Sequence, residues 1–232
     1  MKLSIIIPCF NEIKTIEKII DKIVDLKDLD KEIIVIDDYS TDGSRELLKT
    51  NLISKIDHLI LNEKNYGKGF CIIQAKSKIS GDIVIIQDAD LEYDPNDYYE
   101  LIKPITMKKT NVVYGSRVLG KKRYVGNSYI SISRIFFNHI LTILSNILNS
   151  QNLTDAHTCY KVVKREIFDN IDLEEFSFSF CPELTTKLSK LNEKIFEIPI
   201  NYVGREYNEG KKIKLKDGLI AIKALIKYRF FS

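Results

Sequence analysis

Short unbroken apolar runs alternate, through the first half of the chain, with longer segments whose apolar residues recur at helical spacing. "LSIIIP" (3–8), "EIIVIDD" (32–38), "HLILN" (58–62), "DIVIIQ" (82–87) and "NVVYGSR" (111–117) are short and mostly rich in β-branched residues. Such runs predict strands buried on both faces of a sheet. Between the first two lies "NEIKTIEKIIDKIVDL", where Ile13, Ile16, Ile19, Ile20, Ile23 and Val24 form one helical stripe. "STDGSRELLKT" predicts a second helix capped by Ser40 or Thr41. "GKGFCIIQAKSKI" predicts a third, and "NDYYELIKPI" a fourth that ends near Pro104. This alternation predicts an α/β fold with a mostly parallel sheet and helices on both faces.

The pattern changes after Arg117. Residues 129–149 are long, apolar and helical in period, but Arg134, Asn138, His139 and Asn146 make them a poor membrane span. "TCYKVV" and "KIFEIPINYV" predict further strands, and "DGLIAIKALIKYRFF" an amphipathic helix bearing Lys223, Lys227 and Arg229.

Composition narrows the class. A chain of 232 residues, 44% hydrophobic and 29% charged, has enough apolar content for one large folded domain. A net charge of +3 gives no reason to expect nucleic acid as a partner. Cys9, Cys71, Cys159 and Cys181 are widely spaced with no CxxC, which fits reduced, buried thiols in a cytosolic protein. No signal peptide is expected, since Met1-Lys2 leads straight into a strand.

Ligands of open parallel sheets bind beyond the carboxyl ends of the strands. In this chain those ends read Pro8-Cys9-Phe10-Asn11-Glu12, Asp37-Asp38, Asn65 to Gly69, Asp88-Ala89-Asp90 and Gly115-Ser116-Arg117. Asp88 and Asp90 can converge on Mg²⁺ or Mn²⁺, with Glu92 as a third contact. The plainer reading is that they cap a helix or solvate a loop. Asp37 and Asp38 suit a nucleobase or ribose, or a helix-capping turn. Lys68, between two glycines, suits a phosphate, although such loops often only begin helices. There is no GxxxxGK[ST] and no GxGxxG. Glu183 and Asp155 are base candidates; a helix-start acid and a turn cap are their alternatives. His157 has no second histidine at ligand spacing and reads as a packing residue.

"SIIIPCFNE", "IIVIDDYSTDGS", "NYGKG", "QDADLEYDP" and "GSR", in that order, resemble the inverting family-two glycosyltransferases, in particular the dolichol-phosphate mannose synthase and polyprenyl-phosphate glucosyltransferase branch. "LTDAHTCYKVVKREIF", "ELTTKL" and "EIPINYVGREYNEGKKIKLKDG" extend the resemblance over nearly the whole chain. It implies a GT-A type, Rossmann-like single domain over 1–232. Residues 1–117 would bind the nucleotide sugar and 118–232 form an acceptor-side half. It implies that Asp88, Asp90 and Glu92 meet the metal, and that Pro8, Phe10, Asn11 and Glu12 form the donor-nucleotide wall. Asp37 and Asp38 would face base and ribose. Lys68, Arg205, Lys211 and Lys212 would meet diphosphate charge, with Ala89 between the metal acids. Arg117 and Arg134 would lie near an acceptor phosphate.

The expected enzyme transfers a hexose, UDP-glucose favoured as donor over GDP-mannose, to a membrane lipid such as polyprenyl phosphate. A hydroxyl acceptor such as diacylglycerol is the alternative. A nucleotidyltransferase would want a glycine-rich basic loop after the first strand, which "PCFNE" lacks. A non-catalytic α/β metal-binding module would leave "EGKKIKLKDG" without a role. The expected location is cytoplasmic, peripheral to the membrane. Two positions depart from the family pattern: Tyr39 stands where a glycine or small polar residue is usual, and Cys181 where an aspartate is common.

Overall fold

The computed structural model describes residues 1–119, 123–124, 129–205 and 215–231, with backbone only at 123–124, 129–134 and 215–217. β1 (Leu3–Cys9), β2 (Lys31–Asp37), β3 (His58–Leu61), β4 (Ile83–Ile86) and β5 (Val112–Ser116) occupy the five runs expected. Two more strands, β7 (Lys161–Lys164) and β8 (Ile195–Pro199), complete a seven-stranded sheet ordered β3-β2-β1-β4-β7-β5-β8. β6 (Arg123–Tyr124) and β9 (Tyr202–Val203) pair separately. The sheet is parallel except at β7, which runs antiparallel to both β4 and β5.

Ile5, Ile6 and Ile7 of β1 are fully buried, as are Ile34, Val35 and Ile36 of β2. That is what helices on both faces of a parallel sheet require. α1 (Ile16–Val24) supplies the Ile16, Ile19, Ile20 and Ile23 stripe. α2 (Ser44–Thr50), α3 (Lys68–Ala75) and α4 (Tyr98–Thr106) follow their strands in turn. α4 continues two residues past Pro104.

The expected cap of α2 needs correction. The helix starts at Ser44 behind Gly43, whose φ is +102°, and neither Ser40 nor Thr41 caps it. Those two residues instead join the loops after β1 and β2. The Ser40 hydroxyl accepts from Asn11 N at 2.9 Å, and Thr41 N donates to Asn11 Oδ1 at 2.8 Å.

At the opposite edge of the same strands sits a buried acid. Glu32 accepts hydrogen bonds from the Ser4 and Ser80 hydroxyls and from Ser80 N and Gly81 N, and pairs with Lys2 at 2.7 Å. It ties the amino ends of β1, β2 and β4 together.

The second half adds α5 (Tyr129–Asn149), α6 (Arg165–Asp169), α7 (Phe180–Lys190) and α8 (Leu215–Phe230). α5, α7 and α8 pack against one another. α5 leaves Phe136, Phe137, Ile140, Ile143 and Ile147 exposed, and α8 leaves Leu219, Ile220, Ile226 and Phe230 exposed, with Phe231 beyond it. Among the described residues no helix is long and apolar enough to cross a membrane. All four cysteines are buried free thiols.

Candidate active site

The chain runs outward from β1 through β2 to β3, then crosses back to β4 on the other side of β1. That reversal opens a crevice at the carboxyl ends of β1 and β4, where α/β sheets bind ligands. A cleft of about 320 Å³ lies there. Pro8 near the end of β1, Phe10 and Glu12 after it, Asp38 after β2, Lys68 on α3, and Asp88, Ala89, Asp90 and Glu92 after β4 all line it, together with Arg205. Elements from both halves of the chain therefore build one site.

Two charged groups sit at its floor. In the first, Lys68 Nζ pairs with Asp88 Oδ1 and lies 3.3 Å from Cys159 Sγ. Burial pushes the Asp88 carboxyl up, but the charge and hydrogen bond of Lys68, with Cys159 and Arg205, together outweigh it and hold the carboxyl below its ordinary value. In the second, Arg205 reaches three acids. Its Nη1 and Nη2 donate to Glu12 at 3.0 and 3.2 Å, and Nη2 also donates to Asp90 Oδ2 at 2.6 Å. Its Nε lies 3.7 Å from Glu92 Oε1, and its backbone N donates to the same oxygen at 2.7 Å.

Even so, Asp90 is pushed up to about 7, by burial first and then by the charges of Asp88 and Glu92. A buried carboxylate beside two others gains from any further cation. Five carboxylates (Glu12, Asp38, Asp88, Asp90 and Glu92) face two cations among the described lining residues. No three His, Cys, Asp or Glu side chains among the described residues form a ready-made metal cage. The donor set therefore fits a hard divalent ion held by one or two carboxylates and completed by substrate oxygens, as Mg²⁺ commonly is.

The loop after β3 is shaped by packing. Asp38 Oδ1 accepts from Asn62 Nδ2 at 2.8 Å and Tyr66 N at 2.9 Å, and Oδ2 accepts from Gly67 N at 2.7 Å. A Cβ on Gly67 would meet the Phe176 carbonyl oxygen at 2.4 Å, and one on Gly69 would meet that of Glu175 at 2.0 Å. Both glycines are there because the 175–176 backbone lies on them. Gly67, at φ +107°, also needs its conformation.

Other expected residues lie elsewhere. Asp37 is fully buried behind the cleft, its Oδ2 accepting from Arg45 Nε at 2.6 Å and Ser40 N at 3.2 Å. Asn11 joins the two loops described above and is not among the lining residues. Glu183 is buried at the start of α7, accepts from Glu174 N and Glu175 N, and pairs with Lys187 at 2.8 Å. Arg117 and Asp155 are locked to each other by two side-chain bonds of 2.6 and 2.7 Å. Burial opposes its ionisation, yet Arg117 holds the Asp155 carboxyl low. This pair touches the cleft only indirectly: Arg117 stacks on Tyr202 at 5.3 Å, and the Tyr202 hydroxyl donates to Glu92 Oε2 at 2.8 Å. His157 is pushed down to about 4 by burial and by Lys161, so it is neutral near pH 7, and its Nε2 has no partner among the described residues. Lys211 and Lys212, and the Arg134 side chain, lie outside the described residues.

Three contributors carry no mark in the sequence. Phe178 lines the cleft from the segment before α7. Gln87 accepts from both the Tyr98 and Tyr160 hydroxyls, at 2.6 and 2.8 Å, and donates to the Asp88 carbonyl at 2.9 Å. It fixes the turn that carries Asp88 and Asp90. Tyr202 steadies Glu92 across 110 residues of chain.

Against this geometry, the model of glycosyl transferase family 2 matches residues 4–172. The chain belongs to glycosyl transferase family 2. A dolichyl-phosphate beta-glucosyltransferase of Trichomonas vaginalis is 29% identical over 99% of this chain and 73% of its own length. A dolichol-phosphate mannosyltransferase of Pyrococcus furiosus is 27% identical over 91% of this chain and 59% of its own length. An undecaprenyl-phosphate 4-deoxy-4-formamido-L-arabinose transferase of Salmonella choleraesuis is 27% identical, covering 90% and 62%. The chain thus spans between about three fifths and three quarters of these relatives. Among solved structures, glucosyl-3-phosphoglycerate synthase from Mycobacterium tuberculosis, in complex with Mn²⁺, UDP and phosphoglyceric acid, superposes with a TM-score of 0.74 at 20% identity. It covers 100% of this chain and 79% of that one, and establishes the shared fold. The expected fold and enzyme class, a family-two glycosyltransferase, agree with these findings.

Proposed function

We propose that the chain moves a hexose from a nucleoside-diphosphate sugar to a polyprenyl-phosphate acceptor at a membrane surface, inverting the anomeric carbon and using Mg²⁺ or Mn²⁺. The observation that carries this reading is the meeting of Asp88 and Asp90 with Lys68 and Arg205 in one cleft at the switch point of the sheet. Asp88 and Asp90, with Glu92 beside them, would hold the cation. When bound, it would offset charge growing on the leaving diphosphate. Lys68 and Arg205, with Lys211 and Lys212, would share that charge. Pro8, Phe10 and Glu12 would flank the nucleoside and Asp38 would accept from its base, while Asn11 and Asp37 brace the surrounding loops from behind.

UDP-glucose is the favoured donor and GDP-mannose the second. The bound UDP and Mn²⁺ of the superposed synthase support a uridine nucleotide by fold analogy alone. The acceptors named for the relatives, dolichyl and undecaprenyl phosphates, support a lipid phosphate. So does a physical point. A hydroxyl acceptor needs a base, yet Asp155 is held ionised by Arg117 and Glu183 is committed to backbone N–H groups and Lys187. A phosphate acceptor is already an anion and asks for none. Arg117 and Arg134 would guide it. The exposed apolar residues of α5 and α8 support contact with lipid, and Lys223, Lys227 and Arg229 of α8 suit an interface.

The test is release of nucleoside diphosphate from UDP-glucose and GDP-mannose, with Mn²⁺, with and without polyprenyl phosphate. Release stimulated by the lipid phosphate is expected. Stimulation by diacylglycerol instead would replace the acceptor, and no release from either donor would end the reading.

A further inference from the structure

Arg205 binds its three acids unevenly. Glu12 is chelated by both terminal nitrogens, Asp90 is met by Nη2 alone at 2.6 Å, and Nε–H, buried, makes no hydrogen bond among the described residues. The backbone beneath is anchored separately, since Arg205 N donates to Glu92 Oε1 and Val203 N to Glu92 O. The side chain can therefore leave Asp90 without moving the backbone that carries it.

A divalent ion on Asp90 and a guanidinium 2.6 Å from the same carboxylate repel each other. A diphosphate relieves both, because it offers Arg205 a bidentate partner with more charge than Asp90. Resting on the donor reading above, we propose that Arg205 is an exchangeable counter-ion: it neutralises Asp90 and Glu12 in the nucleotide-free protein and transfers to the donor's diphosphate when a cation binds, so that cation and nucleotide bind cooperatively. Neither is then held firmly without the other.

The experiment follows Mn²⁺ binding by electron paramagnetic resonance, with and without UDP, and the reaction of Arg205 with phenylglyoxal by peptide mass spectrometry. In the wild-type protein UDP should tighten Mn²⁺ by about tenfold or more. Arg205 should react slowly alone, faster in saturating Mn²⁺, and slowly again with Mn²⁺ and UDP. Arg205→Ala should bind Mn²⁺ alone about fivefold tighter than wild type, and its gain from UDP should shrink to a few fold. Arg205→Lys keeps the charge but not the fork, and should fall between. An Arg205 reactivity unmoved by saturating Mn²⁺ overturns the exchange, whatever the variants do. So does an Arg205→Ala protein that melts normally but binds Mn²⁺ no tighter. Failure of Mn²⁺ and UDP to bind the wild type at all would remove the donor reading itself.

Discussion

The Cα of Gly69 lies so close to the carbonyl oxygen of Glu175 that a methyl group added to it would sit 2.0 Å away. The neighbouring contact, Phe70 N donating to Phe176 O at 3.2 Å, ties the same two segments. Gly69→Ala must push two backbones apart, and neither is the free end of a side chain. A loss of about 1–3 kcal/mol or more is expected, or a melting temperature lower by at least several degrees. Lys68 precedes this residue, so UDP binding should weaken too. Unchanged melting would mean that the 175–176 segment does not rest on α3.

Much of this arrangement was legible in the residues, and the part that was not has a common cause. β1, β2 and β4 were readable because strands buried on both faces leave an unbroken aliphatic run; β3 was readable as a strand, but it lies at the sheet's edge, where its residues are only partly buried and Leu61 is exposed. The cleft was readable because polar and glycine residues collect at those strand ends. β7 was readable as a strand, but Tyr160 to Val163 look the same whichever way they run, so its antiparallel insertion between β4 and β5 was not. Glu183 and Asp155 looked like bases because an acid's partners are invisible in one dimension. Lys187, four residues on, was the one clue at Glu183. Arg205 and Asp90 are 115 residues apart, and only folding brings them together.

Asp90→Asn should lower turnover by about 10²–10³-fold, the scale on which removing one group that stabilises transition-state charge acts. Melting should change little. The variant loses a partner of Arg205 but also relieves the repulsion that burial, Asp88 and Glu92 impose on Asp90. Chelation of divalent ions should cut wild-type activity as deeply and leave the variant's residual rate nearly unaltered. Full turnover in a folded Asp90→Asn protein would remove this carboxylate from the cation site.

Glu32 gives the acid limb of stability a particular sign. Burial pushes its carboxyl up, but hydrogen bonds from Lys2, Ser4 and Ser80 outweigh that and bring it down to about 2 from an ordinary 4.5. A depressed carboxylate stabilises the fold above its unfolded pKa and stops doing so as pH falls through its folded one. The contribution is on the order of 3 kcal/mol near neutrality and is lost between about pH 4.5 and 2. Urea titrations of wild type and Glu32→Gln across that window should converge as pH falls. A gap of constant size would show that the charge of Glu32 carries none of the stability.

Tyr39 stands in the left-handed region, at φ +68°, with its ring 46% exposed and packed only partly over Arg45, 5.5 Å from its centroid. A bulky residue there is strained by roughly 1–2 kcal/mol, while an exposed contact with a guanidinium returns about 0.5–1 kcal/mol. Tyr39→Gly removes both terms, and adds the backbone entropy of glycine, about 0.5–1 kcal/mol. These nearly cancel, so Tyr39→Gly should be close to neutral. Tyr39→Ala keeps the strain and loses the ring contact, so it should be the less stable of the two, by up to about 1 kcal/mol. Arg45 remains fixed by Asp37 at 2.6 Å in both variants, which keeps the comparison local to residue 39. Denaturant midpoints for the three proteins measure it. If Ala is tolerated as well as Gly, the loop relaxes out of the left-handed conformation once the tyrosine is gone, and it is the ring over Arg45, rather than the strands on either side, that holds the turn after β2 in shape.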